Sequence, residues 1–419
     1  MAEEIDQKTI SAQEEAPQSS QAPADVAGVG RRYHQRRNVT IIVDSTSDYA
    51  PGVAEQLGVE VIPFTYVDSN GVEHVDDMWK TQDPHEFYEN MRKHPEAHYT
   101  TSAVTPGRYL EVFEKAAEEG LPIIYMGLSE GLSSSINAAR QAADMLREKR
   151  PGTEIYVLDN RCDSAAGELL AIEVVRQASN GLTARELYDW VSDARFFIHG
   201  YFTLDSFDAL AAGGRIPPAA ANVGGKLDIK PELSYDLNGA LTLRGMCRGR
   251  KKALRAIIQD FRDNYAHDPS LPLAIVSTDA EKDADWLEHE IRKERGCEDV
   301  TVIRSSVSPI LGTHVGPGMV ALVFWGTDRR EKLSLTDRIA KREQRRRCPR
   351  RARDPGCAIL ASVRNRAVLR ARMPRGGLPH MKGPSICPQP TGQRLPSSAP
   401  ASWVPLSPAT SWMPATTSR

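Results

Sequence analysis

The six cysteines of this 419-residue chain include no Cys-x-x-Cys pair. That spacing argues against a zinc cluster and a disulfide framework, and free thiols fit a reducing compartment. No run of 18 apolar residues occurs, so no transmembrane helix is expected. The opening segment MAEEIDQKTISAQEEAPQSSQAPADVAG has no apolar centre and does not read as a signal peptide. These absences lead to the expectation of a cytoplasmic protein. A basic body is also missing. Beyond residue 344 lie 13 arginines and one lysine against one aspartate. The formal charge of −2 therefore leaves −15 on the first 344 residues. Nucleic acid is not expected as a partner, because phosphate contacts need a basic face.

What is present is organised in four stretches. Residues 1–37 are acidic, polar and without period, and are expected to be disordered. They close on the basic clip RRYHQRRN, which reads most simply as a solvated linker and otherwise as a contact for a membrane surface or an acidic partner. From residue 38 the chain alternates apolar, β-branched runs (VTIIV, LPIIY, EIYVLD, LPLAIVS) with helical patterns. That alternation implies a mostly parallel sheet with crossover helices. The stretch around Asn238-Gly239 alternates as a β-hairpin does, and GMVALVFWG reads as a closing strand. The expected fold class is therefore α/β in two domains, 38–165 with a mostly parallel sheet and 166–330 with a mixed or antiparallel one. The tail, 331–419, is rich in Arg, Pro and Ser. Twelve prolines and no sustained period after residue 344 predict disorder. A genuine basic arm and a frameshifted read-through both account for it, and resequencing the 3′ end of the gene separates them.

Chemistry concentrates at strand ends. DSTSD (44–48), TTSAVTPG (100–107), GLSEGLSSS (127–135) and VSTDA (276–280) supply hydroxyls and backbone N–H groups near helix starts. Such a set suits an anion, although each loop alone is explained by helix capping. We expect them to share one polar pocket, with the 100–107 loop leading into a helix near Arg108. GLSEG also matches the G-x-S-x-G elbow of α/β-hydrolases. Ser129 is then a candidate nucleophile, with Asp159 or Asp163 and His314 as partners. Against this, the helix pattern begins only near Ser134, and no oxyanion segment of the HGGG type is present. AAGGRIPP (211–218) places Arg215, a fork for carboxylate or phosphate, after two glycines; a surface arginine after a helix end is the plainer reading. ILGTHVGPG (310–318) sets one imidazole, His314, on a bare, glycine-rich stretch that reads as a tight turn. With no second histidine or acid nearby in sequence, it suits anion recognition better than a metal.

Taken together and in order, IIVDSTSD, VIPFTYV, TTSAVTPGRY, LSEGLSSSINAA, DSAAGELLA, LAAGGRI, IKPEL…GAL…RGRKKAL and GTHVGPG resemble the DegV family of fatty-acid-binding proteins. The resemblance spans about residues 39–326. It implies a two-domain fold enclosing a long-chain fatty acid, with the acyl chain in an apolar tunnel. The family's carboxylate-binding residues fall on Thr101, Ser102, Ser133 and His314. Ser129, Ser134, Arg215 and Gly316 fall at the pocket or on the partner-facing side. By the same resemblance the protein is not a catalyst. It binds no cofactor or metal, and it presents the acid to an ATP-dependent fatty acid kinase for acyl-phosphate formation in phospholipid synthesis, with transient membrane contact. Two departures stand out. The family's usual Gly-Thr-Tyr after the serine is Ser134, Ser135 and Ile136 here, and its Gln-Pro-Ser is Ala103, Val104 and Thr105. The energetics suit such a ligand, since about 15 buried methylenes at ~0.8 kcal/mol each offer on the order of 12 kcal/mol of gross transfer energy.

Overall fold

The computed structural model describes residues 38–216 and 228–331. The expected disordered N-terminus, its basic clip and the tail from residue 332 onward lie outside the described residues.

β1 (Thr40–Asp44) is buried along its whole length, as an apolar, β-branched central strand should be. Its last residue caps a 3-10 turn at Ser45–Ser47 by accepting the Thr46 N–H at 3.2 Å. There follow α1 (Val53–Leu57), β2 (Glu60–Ile62), β3 (Thr65–Val67), β4 (Glu73–Val75), α2 (Pro84–Lys93), β5 (Thr100–Ser102), α3 (Pro106–Ala117), β6 (Ile123–Gly127), α4 (Ser135–Lys149) and β7 (Ile155–Asp159). Four of these strands form a parallel sheet in the order β2-β1-β6-β7. β4-β3-β5 form a separate antiparallel ribbon of three.

α5 (Ala165–Ser179) is apolar on nearly every side and buried over most of its length, including Glu168, Glu173 and Gln177. A helix of that kind belongs between layers. α5 packs against β6 on one side and against strands of the second sheet on the other. The largest core cluster runs continuously from Ile41 and Ile124 through Leu169 and Val174 to Phe202, Val276 and Ala321. Residue 165, where the sequence suggested a boundary, begins this helix, and the core cluster runs through it without a break.

The remaining elements are α6 (Ala184–Ala194), β8 (Ile198–Thr203), α7 (Asp208–Ala212), β9 (Ile229–Tyr235), β10 (Leu241–Arg248), α8 (Arg250–Asn264), β11 (Leu273–Ser277), α9 (Glu281–Arg292), β12 (Val302–Ser306), α10 (Pro309–Val315) and β13 (Val320–Trp325). The sheet order is β10-β9-β8-β13-β11-β12. Only β11 and β12 pair in parallel, so the mixed character expected of the second half is found. The hairpin expected at Asn238-Gly239 joins β9 to β10, with Gly239 at φ 79 and a bulge after Leu243.

Two local readings are corrected. The polar stretch 100–107 is not only a loop. Thr100–Ser102 pair with β3, Thr105 caps α3 by accepting the Arg108 N–H, and the helix starts at Pro106 rather than near Arg108. The stretch 310–318 is not a tight turn throughout. Its first six residues belong to α10, and the turn begins at Gly316, which sits at φ 71 after the helix.

Candidate functional site

The carboxyl ends of β2 and β6, the end of the β3–β5 ribbon, the α7–Arg215 segment and α10 converge on a cavity of about 260 Å³. This lies just below the ~300–1,000 Å³ typical of small-molecule pockets. It occupies the place where open α/β sheets bind ligands, beyond the carboxyl ends of parallel strands. One part of its wall is polar: Thr101, Ser102, Ser133, Ser134, Arg215 and His314. Much of the rest is apolar, with Phe64, Leu128, Leu132, Leu210, Leu241 and Ile310.

His314 occupies the last turn of α10. Its Nε2 lies 2.9 Å from the Thr101 hydroxyl oxygen, while its Nδ1 is buried without a partner. Two glycines make room for this packing. A Cβ on Gly213 would sit 2.4 Å from His314 Nδ1, and one on Gly312 would sit 2.2 Å from the Tyr88 hydroxyl oxygen. Burial, reinforced by the nearby positive charge of Arg215, pushes the His314 imidazole down to about 4. The ring is therefore neutral near pH 7, with one nitrogen donating and the other accepting. Arg215 donates from its guanidinium to the Gly213 carbonyl, and burial lowers its pKa. The Ser133 hydroxyl accepts the Ser135 N–H at 3.2 Å and lies 3.0 Å from the Ser135 hydroxyl.

Six of the eight residues singled out in the sequence thus line one cavity. Ser129 and Gly316 do not. The Ser129 side chain is fully buried and donates to the Gly239 carbonyl at 2.9 Å, while its oxygen accepts the Gly131 N–H at 3.1 Å. It fastens the β9–β10 turn to the loop after β6. The hydrolase constellation is not assembled. Asp159 accepts the backbone N–H of Arg161, Asp163 accepts from the Tyr235 hydroxyl, and His314 faces Thr101. Gly316 accepts from the Thr278 hydroxyl at 2.7 Å and shapes the turn that leaves α10.

The expectation that four polar loops share the pocket holds for two of them. The loops after β5 and β6 reach it. DSTSD is entirely buried: Asp44 accepts from Thr46, Tyr125 and the Leu128 N–H. Asp48 accepts the Ser308 N–H at 2.8 Å and the Ser164 hydroxyl. In VSTDA, Thr278 braces the Gly-Pro-Gly turn, and Asp279 holds Arg92 and His85 across from α2. A wider cleft of about 530 Å³ lies against β4, lined by Tyr66, His74, Asp76, Asp77 and Trp79. None of the expected site residues is in it.

One cavity residue had been weighed only as a hydrolase acid. Asp163 follows β7, a parallel strand, and its position at such a carboxyl end was the available signal. It lies deep in the protein, and burial pushes its carboxyl up to about 6.

An α/β body whose cavity sets hydroxyls and an imidazole among apolar side chains has the makings of a small-molecule-binding site, and the serine-hydrolase constellation is not assembled in it. The chain belongs to the DegV family: the family model described as "Uncharacterised protein, DegV family" matches residues 38–326. A DegV domain-containing protein of Lactococcus lactis is 30% identical over 287 residues, covering 67% of this chain and 96% of the relative. A protein of Thermotoga maritima, whose structure is described as revealing a fatty acid binding function, is 26% identical at a TM-score of 0.56, covering 69% of this chain and 99% of that one. The same fold is found in the fatty acid kinase B3 protein of Streptococcus pneumoniae loaded with linoleic acid. The TM-score there is 0.60, at 23% identity over 69% of this chain and 99% of the other.

Proposed function

We propose that this protein binds a long-chain fatty acid, with the carboxylate against Thr101, Ser102, Ser133 and His314 and the acyl chain along the apolar wall. The observation that carries the reading is the composition of the cavity. Four hydroxyls, a neutral imidazole and one guanidinium stand at one part of a wall that is otherwise largely Leu, Ile and Phe. A carboxylate taken out of water has to be hydrogen-bonded, and hydroxyls with an imidazole meet that need. Membership of the DegV family and the fatty-acid-binding Thermotoga relative support it.

In this reading the protein is a carrier and not itself a catalyst. It needs no cofactor, works in the cytoplasm, and presents the bound acid to an ATP-dependent fatty acid kinase whose acyl-phosphate product enters phospholipid synthesis. Arg215 and His314 then face the transferred phosphate, and Gly316 and the α10 turn belong to the partner-facing side. Transient contact with a membrane surface is the route for loading. The described residues contain no helix long and apolar enough to cross a membrane. Native mass spectrometry of the purified protein, with organic extraction of its ligand, tests the proposal. A stoichiometric C14–C20 fatty acid is the expected result. An empty protein that takes up neither oleate nor palmitate overturns it.

A further inference from the structure

The cavity holds a second polar feature that a plain acyl chain leaves unused. Asp163 lines it from the loop after β7. That loop crosses back over the neighbouring strand ends: the Cys162 carbonyl accepts the Ser129 N–H at 3.2 Å, and Ser164 donates its N–H to the Thr46 carbonyl at 2.9 Å and its hydroxyl to Asp48. The Thr101–His314 pair is held by other elements, β5 and the last turn of α10. Leu128 and Leu132, of the loop after β6, line the same cavity.

The second sheet fixes it there. The Tyr235 hydroxyl donates to Asp163 Oδ1. Tyr235 and Leu241 face each other across the β9–β10 hairpin, which Ser129 and Arg161 fasten by bonds to Gly239 and Leu237. Asp163 has no salt bridge among the described residues, although deeply buried carboxylates are normally paired. It nevertheless retains accessible surface and lines the cavity. An unsubstituted chain would lay methylenes against this carboxyl and leave its free oxygen without a partner, which is unfavourable. A hydroxyl on the chain supplies the missing partner whether Asp163 is ionised, and accepts, or is protonated, and donates.

We infer that the site selects an acyl ligand carrying a hydroxyl group on its chain, held by Asp163. This rests on the fatty-acid reading of the same cavity and narrows its substrate class. The test uses the full chain stripped of lipid, with stearic acid and a positional set of hydroxystearic acids as probes, read by calorimetry or displacement of a fluorescent fatty acid. The wild type is expected to bind at least one hydroxystearate about tenfold more tightly than stearate, the scale of one well-placed hydrogen bond to a buried polar group. Asp163→Leu is expected to reverse that order. Asp163→Asn, which keeps the shape and a hydrogen-bonding group, is expected to retain a reduced preference, and circular dichroism checks that both variants fold. Equal affinity of the wild type for all probes, or an undiminished preference in Asp163→Leu, overturns the inference while leaving fatty-acid binding intact. Binding of none of the probes removes the fatty-acid reading and this inference with it.

Discussion

His314 and Thr101 lie 213 positions apart in sequence, yet the imidazole Nε2 and the hydroxyl oxygen come within 2.9 Å. Their contact joins α10 of the second half to the β3–β5 ribbon of the first. The neutral ring is tuned for hydrogen bonding rather than for charge, because burial holds its pKa near 4.

His314→Ala removes the only imidazole among the described residues of the cavity wall. In the proposed carrier role, acyl-phosphate formation with a partner fatty acid kinase is expected to fall roughly tenfold or more, the scale of one lost hydrogen bond to a charged group. The melting temperature is expected to move little, since the imidazole already has one nitrogen unpartnered. Unchanged phosphorylation would count against the role given to this residue.

Gly213→Ala tests the same ring without touching it. Gly213 has an ordinary helical φ of −74, so alanine brings no backbone strain. Its Cβ, however, would sit 2.4 Å from His314 Nδ1 and 3.2 Å from the Ala209 carbonyl oxygen. The imidazole must move, and ligand affinity is expected to drop toward that of His314→Ala. Wild-type affinity in a fatty-acid displacement assay would show that ring position does not matter.

How much of this was legible in the sequence differs by element. β1, β6, β7, β11 and β13 announced themselves as β-branched apolar runs, and Asn238-Gly239 gave the hairpin. α10 was hidden because Gly312, a poor helix former, sits inside it. The reason is tertiary: the Tyr88 hydroxyl occupies the space a Cβ would need. β5 was hidden because a three-residue strand of hydroxyl side chains carries no alternation. The cavity residues Thr101, Ser133 and His314 were reached through ordered motifs. Ser129 misled, since an exposed nucleophile and a buried fastening serine are identical in a pentapeptide. Only burial and the Gly239 carbonyl distinguish them.

Ser129→Ala follows from that distinction. The loss of two buried hydrogen bonds is expected to cost about 1–2 kcal/mol of stability, seen as a lower urea midpoint. A fluorophosphonate probe is expected to label neither the wild type nor the variant, because the Ser129 hydroxyl is fully buried and has no histidine beside it. Labelling that disappears in Ser129→Ala would revive a hydrolase.

Glu168→Gln addresses the buried acid in the first turn of α5. Its Oε1 accepts the Ala50 N–H at 2.9 Å, while its Oε2 has no partner. Burial pushes this carboxyl up to about 8, opposed by the Ala50 hydrogen bond, with Asp48 nearby adding repulsion. Between about pH 4.5 and 8 the folded protein therefore keeps a proton that the unfolded chain has released. Stability from this group is complete below 4.5, falls as pH rises through that window, and levels off above 8. Glutamine retains the Oε1 acceptor and carries no charge. The variant is expected to match the wild type near pH 4.5 and to exceed it by a few kcal/mol near pH 9. Urea unfolding at the two pH values measures the difference. A gap that is equal at both would mean that Glu168 titrates alike in the folded and the unfolded chain, and that its burial costs the protein nothing that depends on charge.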